Sequence, residues 1–484
     1  MNLVQVLESQ AKDWLGKLAI IEEGKEVTYR ELWQRVDRLA KAFLDLGIKE
    51  GDRIAICLPN CQEYIYAFFA TLKINAIAVP LKQSITSYEL KTYLKDCQPL
   101  LLITDRIFLK RMLPFDLAIE TGKFVICSRH ILKKGAPKRS IRINDLIKKT
   151  SGLETTFPAD DSTVASINYT YRGYGYPLGA MLTHGNYRAG AEGYVHTVEI
   201  KGREKTLLML PMFHIFPFMG CIIVPLFTNG TIIILRNPNH RMVFEEIDKN
   251  KINVVISVPV FYLNLLKNFN KTNFKLNTVS CIISGGDILP LDLFSSIKEN
   301  FRWEIRQGYG LTECMPIVCN PILGNRPEAL GKIGFGVKVK IVDEKGNEKK
   351  PGEIGEIVVG GPTVMKGYYN KPRETEDVLK NGWCYSGDYG YFDEKGFLYF
   401  SGLKKQTTKV GSNMVDLVEV KNTIDHFLGV IKTKINVMAD EIWGNVLNAE
   451  IYVKNPEKFN IRQLRSFLRD RLSSYKIPRL KIIN

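Results

Sequence analysis

Four short apolar runs, at 53–58, 76–81, 99–104 and 123–128, alternate with helix-length segments such as 62–73 and 87–96. Strands separated by a helix pair as parallel neighbours, and a parallel sheet has to be covered on both faces. The alternation restarts after Asp160 and Asp161, with strand-like runs at 164–170, 206–211, 231–235, 254–258 and 279–284. The chain is therefore expected to be α/β, with one helix-covered sheet followed by a second. Its 484 residues leave room for both, because a single core seldom grows past about 250–300 residues.

Local signals sharpen this outline. Apolar Leu32, Val36, Leu39, Phe43 and Leu46 recur at helical spacing, Thr28 and Glu31 stand as a capping box, and Gly47 ends the segment. From 331 to 361 the chain turns to short strands punctuated by Gly and Pro, which predicts a small antiparallel β unit. The polar basic stretch GLKKQTTKVG at 402–411 reads as a hinge, and 412–484 as a small α+β unit. That unit is expected to end in a helix with Leu464, Phe467, Leu468 and Leu472 inward and Arg462, Arg465 and Arg469 outward.

Composition excludes several classes. The run 215–235 is apolar, but Pro217, Pro225 and the Asn229-Gly230 turn interrupt it, so it reads as a buried helix, turn and strand and not a membrane span. The nine cysteines have neither disulfide-framework density nor paired zinc spacings, and the N-terminus has no secretory pattern; reduced thiols and a cytoplasmic location are expected. A net charge of +16 favours acidic partners: phosphorylated cofactors, anionic headgroups at a membrane surface or an acidic carrier protein. No nucleic-acid-binding signature accompanies it.

The segment QGYGLTE at 307–313 places an aromatic, a hydroxyl and a carboxylate on one Gly-flexed stretch. Tyr309 has the shape to stack on a purine, Thr312 to donate to a phosphate and Glu313 to hold Mg²⁺. Four further motifs, VTYRELWQRVDRLA, LPMFHIF, GEIGEIVVGGPTVMKGYYNKP and WCYSGDYGYFDEKGFLYFSG, surround it in order. Together they resemble the adenylate-forming superfamily of acyl-CoA synthetases, nonribosomal peptide adenylation domains and luciferases, with the wording around 307–321 and 331–372 nearest to long-chain fatty acid ligases.

The resemblance implies a large N-terminal domain (1–401) of two α/β sheets plus a small β-barrel, a hinge (402–411) and a C-terminal lid (412–484) that rotates between two half-reactions. ATP, Mg²⁺ and an acid would give an acyl-adenylate, and a thiol of CoA or phosphopantetheine would then take the acyl group. By position Tyr309 would flank adenine, Thr312 the α-phosphate, Glu313 the Mg²⁺ and Asp388 the ribose. Thr170 would lie in the nucleotide site, Ser284, Gly285 and Gly286 would line the floor, and His214 would stand at the acyl site or cap a helix.

The same resemblance exposes departures. The family's phosphate loop reads roughly YTSGTTGxPKG, whose small residues let backbone N–H groups approach polyphosphate. Here Tyr169, Thr170, Gly175, Pro177 and Gly179 are kept, while Tyr171, Arg172, Gly173, Tyr174, Tyr176 and Leu178 replace the rest. The tyrosines are expected to fill the space of the triphosphate. Leu403 and Gln406 stand in the hinge where the family has arginine and aspartate, and Asp416 and Val418 where it has proline and glutamate. SSYKIPRLKII matches the stretch before the family's catalytic lysine, and the sequence ends at Asn484 without it.

One such preorganised group is typically worth about 3–4 kcal/mol, so adenylation is expected to be impaired. Three readings follow. A degenerate family member would bind fatty-acyl groups or an acidic acyl carrier protein; a working ligase would use an unusual loop; a thiol-transfer enzyme would accept preformed acyl-adenylate or thioester.

Overall fold

In a computed structural model, residues 2–108, 124–126, 140–153, 157–269, 274–404, 406–411, 413–440 and 443–483 are described. Of the expected run 123–128 this covers the strand Phe124–Ile126, and Lys405 of the hinge and Asn484 lie outside the described residues. The chain is α/β, with two large sheets, a five-stranded antiparallel sheet, and a C-terminal unit with its own core.

The eight-stranded sheet runs Gly367–Tyr368, Leu178–Thr183, Val164–Thr170, Ile77–Pro80, Arg53–Cys57, Leu101–Thr104, Phe124–Ile126, Ser140–Arg142. The nine-stranded sheet runs Lys332–Ile333, Cys314–Cys319, Arg306–Leu311, Cys281–Ser284, Val254–Ser257, Lys205–Leu208, Thr231–Ile234, Leu18–Glu22, Lys25–Thr28. The split differs from the expected order. Val164–Thr170 pairs parallel with Ile77–Pro80 in the first sheet, whereas Leu18–Glu22 joins the second beside Thr231–Ile234. Sequence order cannot show such exchanges, because each strand's apolar run suits either sheet equally.

Helix Gln62–Lys73 is buried on every side, which is why its sequence lacks a polar stripe. Its Tyr64, Phe68 and Leu72 share one core with Ile54 and Ile56 of the first sheet and Ile232 and Ile234 of the second. Lys73, buried at the end of this helix, meets Asp37 at 2.6 Å and lies 4.1 Å from the Trp33 ring centre. The run 215–235 forms a buried helical stretch from Ile215 to Phe227, a turn and the strand Thr231–Ile234; among the described residues no helix is long and apolar enough to cross a membrane.

The antiparallel sheet holds Lys338–Val342, Gly355–Gly360, Trp383–Phe392, Leu379–Lys380 and Leu398–Leu403. Beyond it, Val415, Val420, Ile424, Ile451, Leu464 and Leu468 form a separate small core. As expected, Arg462, Arg465 and Arg469 face outward from helix Ile461–Arg471, but the unit does not end there: the strand Arg479–Ile483 follows and pairs parallel with Gly444–Val453, a long-range partner that the local helical period does not reveal.

The capping box at Thr28 is closed in both directions, Thr28 Oγ1 accepting from Glu31 N at 3.2 Å and Glu31 Oε2 from Thr28 N at 2.9 Å. Thr28→Ala is expected to lower stability by about 1 kcal/mol, measured as a lower urea midpoint with an unchanged slope.

Candidate functional site

The carboxyl ends of parallel strands are where open α/β sheets leave a crevice. Here Val164–Thr170 from one sheet, and Cys281–Ser284 and Arg306–Leu311 from the other, end at one cavity of about 450 Å³. Thr170, Arg172, His214, Gly286, Tyr309, Thr312, Glu313, Asp388 and Leu403 all line it. Tyr194, Val198, Phe216, Ile283 and Met315 give it an apolar wall, and Lys409, Met414, Val437 and Asn445 of the C-terminal segment complete its far side. Gly285 instead packs under Phe216, whose ring would meet a Cβ there at 2.7 Å.

Arg172 reaches into this cavity. Its Nη1 lies 3.2 Å from Glu313 Oε1 and its Nη2 donates to the Tyr385 carbonyl at 2.6 Å; both partners of the ion pair are nearly inaccessible, at 7% and 2%. Burial opposes the guanidinium charge, but Glu313, with help from Tyr368, holds it protonated above the usual arginine range. Tyr368 OH donates to the same Glu313 oxygen at 2.6 Å. Across the cavity, Tyr309 OH donates to Asp388 Oδ2 at 2.7 Å.

The tyrosines do not fill the cavity, contrary to the expectation from their bulk. Tyr174 OH donates to Asp377 at 3.1 Å and Tyr176 OH to Glu374, so both rings lie against helix Pro372–Val378 near the surface. Leu178 is buried in the strand Leu178–Thr183. Tyr171 turns the other way, into the C-terminal unit. Its hydroxyl sits 3.0 Å from Tyr93 OH, 3.3 Å from Glu419 Oε1 and 3.0 Å from Lys476 Nζ. Lys476, wholly buried, also meets Glu89 and Glu419, each at 2.7 Å.

The charges in that cluster hold one another. Burial works against Lys476, yet Glu419, Tyr475 and Glu89 keep it protonated above the usual lysine range. Burial would raise Glu89, but Lys476 and a 2.6 Å bond from Ser473 keep it below the usual carboxylate range. Glu419 is raised, chiefly by burial.

Next to it, Gly173 N and Gly175 N donate to Asp416 Oδ2 at 2.9 and 3.1 Å. The same carboxylate caps helix Leu417–Asp425, its Oδ1 accepting from Val418 N at 2.9 Å and Glu419 N at 3.0 Å. The sequence marked Asp416 only as a departure and gave no sign of Glu419, Lys476 and Glu89, whose contacts across the two units span 248 to 387 residues.

His214 caps a helical stretch and lines the cavity. Its Nδ1 accepts from Phe216 N at 3.3 Å, capping the helical stretch, while its exposed surface faces the cavity. The atoms crowding its ring at the cavity wall, with Lys409 and Lys82 adding to them, shift its pKa downward. His184, at the start of helix His184–Val198, is lowered to about 4 by burial, against the pull of Asp161 and Asp160.

Comparison with known proteins places this geometry. Residues 7–369 match the family described as AMP-binding enzyme, and the chain belongs to that family. It is 30% identical over 508 aligned positions to a long-chain-fatty-acid–CoA ligase of Bacillus subtilis (strain 168), covering 99% of this chain and 90% of that protein. In sequence and fold it is of the acyl- or aryl-CoA ligase type of adenylate-forming enzyme. Among solved structures, a double mutant of o-succinylbenzoate CoA synthetase (MenE) from Bacillus subtilis, bound with its product analogue OSB-NCoA, is similar at TM-score 0.87 and 26% identity over 99% of this chain and 94% of that one. ATP-bound MatB from Rhodopseudomonas palustris gives TM-score 0.77 at 25% identity, over 100% and 95%.

His184 is neutral in the fold and titrates near the ordinary value, about 6.5, once unfolded. The stability it contributes is full above about 6.5 and is lost as pH falls through about 4, because the unfolded chain takes up protons first. Thermal melts between pH 7 and 4 should show this decline, with a shallower slope in His184→Asn. An identical slope in the variant would contradict the assignment.

Proposed function

We propose that this chain retains the acyl cavity of a CoA ligase but not the capacity to adenylate, and binds a fatty-acyl group there. One observation carries the reading: the groups that the family resemblance assigns to the nucleotide are bonded to the protein itself. Glu313, the expected Mg²⁺ ligand, is paired with Arg172; Asp388, the expected ribose ligand, accepts from Tyr309; and the loop amides Gly173 and Gly175 are taken by Asp416.

The residues present therefore do not fit Mg²⁺ and a triphosphate. Separating a buried ion pair costs about 3–5 kcal/mol, while a micromolar to millimolar ligand supplies only about 4–8 kcal/mol in total. Displacing Arg172 from Glu313 alone would remove most of the affinity of a nucleotide.

The apolar wall of Tyr194, Val198, Phe216, Ile283 and Met315 suits an alkyl chain. A second reading is acyl transfer to or from a thiol of CoA or phosphopantetheine, which draws support from the CoA ligases among the chain's relatives. The net charge of +16 favours acidic carriers of that thiol in a cytoplasmic setting, including an acyl carrier protein, with contacts weakened by salt.

Purified protein given MgATP and fatty acids of graded length is expected to show no acid-dependent ATP–pyrophosphate exchange above background, while a fluorescent fatty acid is bound and displaced by the same acids. Robust exchange with any acid would overturn the proposal; absence of fatty-acid binding would remove its acyl half.

A further inference from the structure

Two segments that depart from the family's pattern, the loop 171–178 and the stretch from Leu403 to Val418, lie far apart in sequence. In the structure they touch. Gly173 packs against Gln406, whose backbone N would stand 3.0 Å from a Cβ added there. Gly175 packs against Val418, with 3.1 Å to Cγ1. Both glycines have positive φ, 89° and 84°, so their N–H groups converge in the way that makes a backbone nest for an anion. The anion in that nest is the Asp416 carboxylate.

We propose that residues 171–175 are a docking socket for the C-terminal unit, with Asp416 as a built-in ligand of the loop amides, and that this contact holds the unit in one orientation. Three kinds of contact act together. Asp416 joins the loop amides to the N-terminus of helix Leu417–Asp425, so one carboxylate satisfies donors from both sides. Lys476 and Glu419 of the C-terminal unit close on Glu89 and Tyr171 of the large unit in a buried cluster that Ser473 completes. Lys82 of the large unit adds a bond from Nζ to Asn413 Oδ1 at 2.6 Å and lies 3.8 Å from the Tyr475 ring centre.

Rotation of the C-terminal unit would part Glu89 from Lys476, and the Tyr171 hydroxyl from Lys476 and Glu419, while Lys476 and Glu419 travel together; the buried Glu89 carboxylate would lose its counter-charge. Rotation would also return two converging amides to water. A family member that turns its lid between two half-reactions would be expected to avoid such a seam; a protein that keeps a single cavity assembled would benefit from it. This inference rests on the reading that the loop no longer serves triphosphate, and it is tested without nucleotide so that the two can fail separately.

The test is amide hydrogen exchange on the full chain, following peptides that cover 171–176. Neither Lys476 nor Glu419 bonds to the Gly173 or Gly175 amides through its side chain, so faster exchange there reports undocking and not loss of an acceptor. Lys476→Met is expected to speed exchange of the loop peptide at least about tenfold, the change that loss of one charged hydrogen bond brings. Glu419→Gln, which leaves Lys476 paired with Glu89, should give a smaller change in the same direction. Helix Gln62–Lys73 should keep its protection in both, showing an intact fold; if Lys476→Met loses it, Glu419→Gln decides. Loop exchange unchanged in the deciding variant, or already unprotected in the wild type, would overturn the proposal. Should the loop prove undocked while ATP–pyrophosphate exchange is still absent, the functional reading stands and this inference falls.

Discussion

A single carboxylate, Asp416, accepts four backbone hydrogen bonds, two from the loop after Val164–Thr170 and two from the first turn of helix Leu417–Asp425. Amides at a helix start and amides in a glycine nest are both groups that seek an anion. Fixing one anion between them satisfies both and ties two units of the chain together. Burial nevertheless raises the Asp416 pKa from its ordinary value, and the four N–H groups only partly offset that cost. The arrangement is therefore stable only while loop and helix are together.

The rest of the site follows from that attachment. With Asp416 holding the loop, Arg172 is directed inward onto Glu313 and Tyr171 outward onto Lys476, while Tyr174 and Tyr176 lie against helix Pro372–Val378. Neighbouring residues of one loop thus serve three surroundings. The cavity is left with an apolar wall, with Arg172 paired to Glu313 and with Asp388 bonded to Tyr309. Such a cavity suits a hydrophobic chain more than a polyanion.

Much of this architecture is legible in the sequence, and the limits are physical. Helix Tyr29–Asp45 announces itself by local period and capping, the run at 53–58 and the segment 62–73 by their alternation and length, and the structure has all three within a residue or two. Which sheet takes Val164–Thr170 or Leu18–Glu22 is set by long-range pairing, which the local pattern does not encode. The cavity residues Thr170, His214, Tyr309, Thr312, Glu313 and Asp388 could be gathered from motifs because the family fold brings those motifs together. The direction of the loop tyrosines could not. Side-chain volume alone suggests obstruction, whereas hydroxyl partners at Asp377, Glu374 and Glu419 draw the rings away, and those partners lie 198 to 248 residues along the chain.

The central claim is that the protein's own side chains stand in the nucleotide's place, on both the loop and the C-terminal unit. It is tested most directly by calorimetric titration of MgATP into wild type and into one variant that restores the family pattern on both sides. That variant carries Tyr171→Ser, Arg172→Gly, Gly173→Thr, Tyr174→Thr, Tyr176→Lys, Leu178→Lys and Asp416→Pro. No binding heat is expected from the wild type, and saturable binding from the variant, whose Glu313 and loop amides are released. Saturable MgATP binding by the wild type, or none by a folded variant, would contradict the claim.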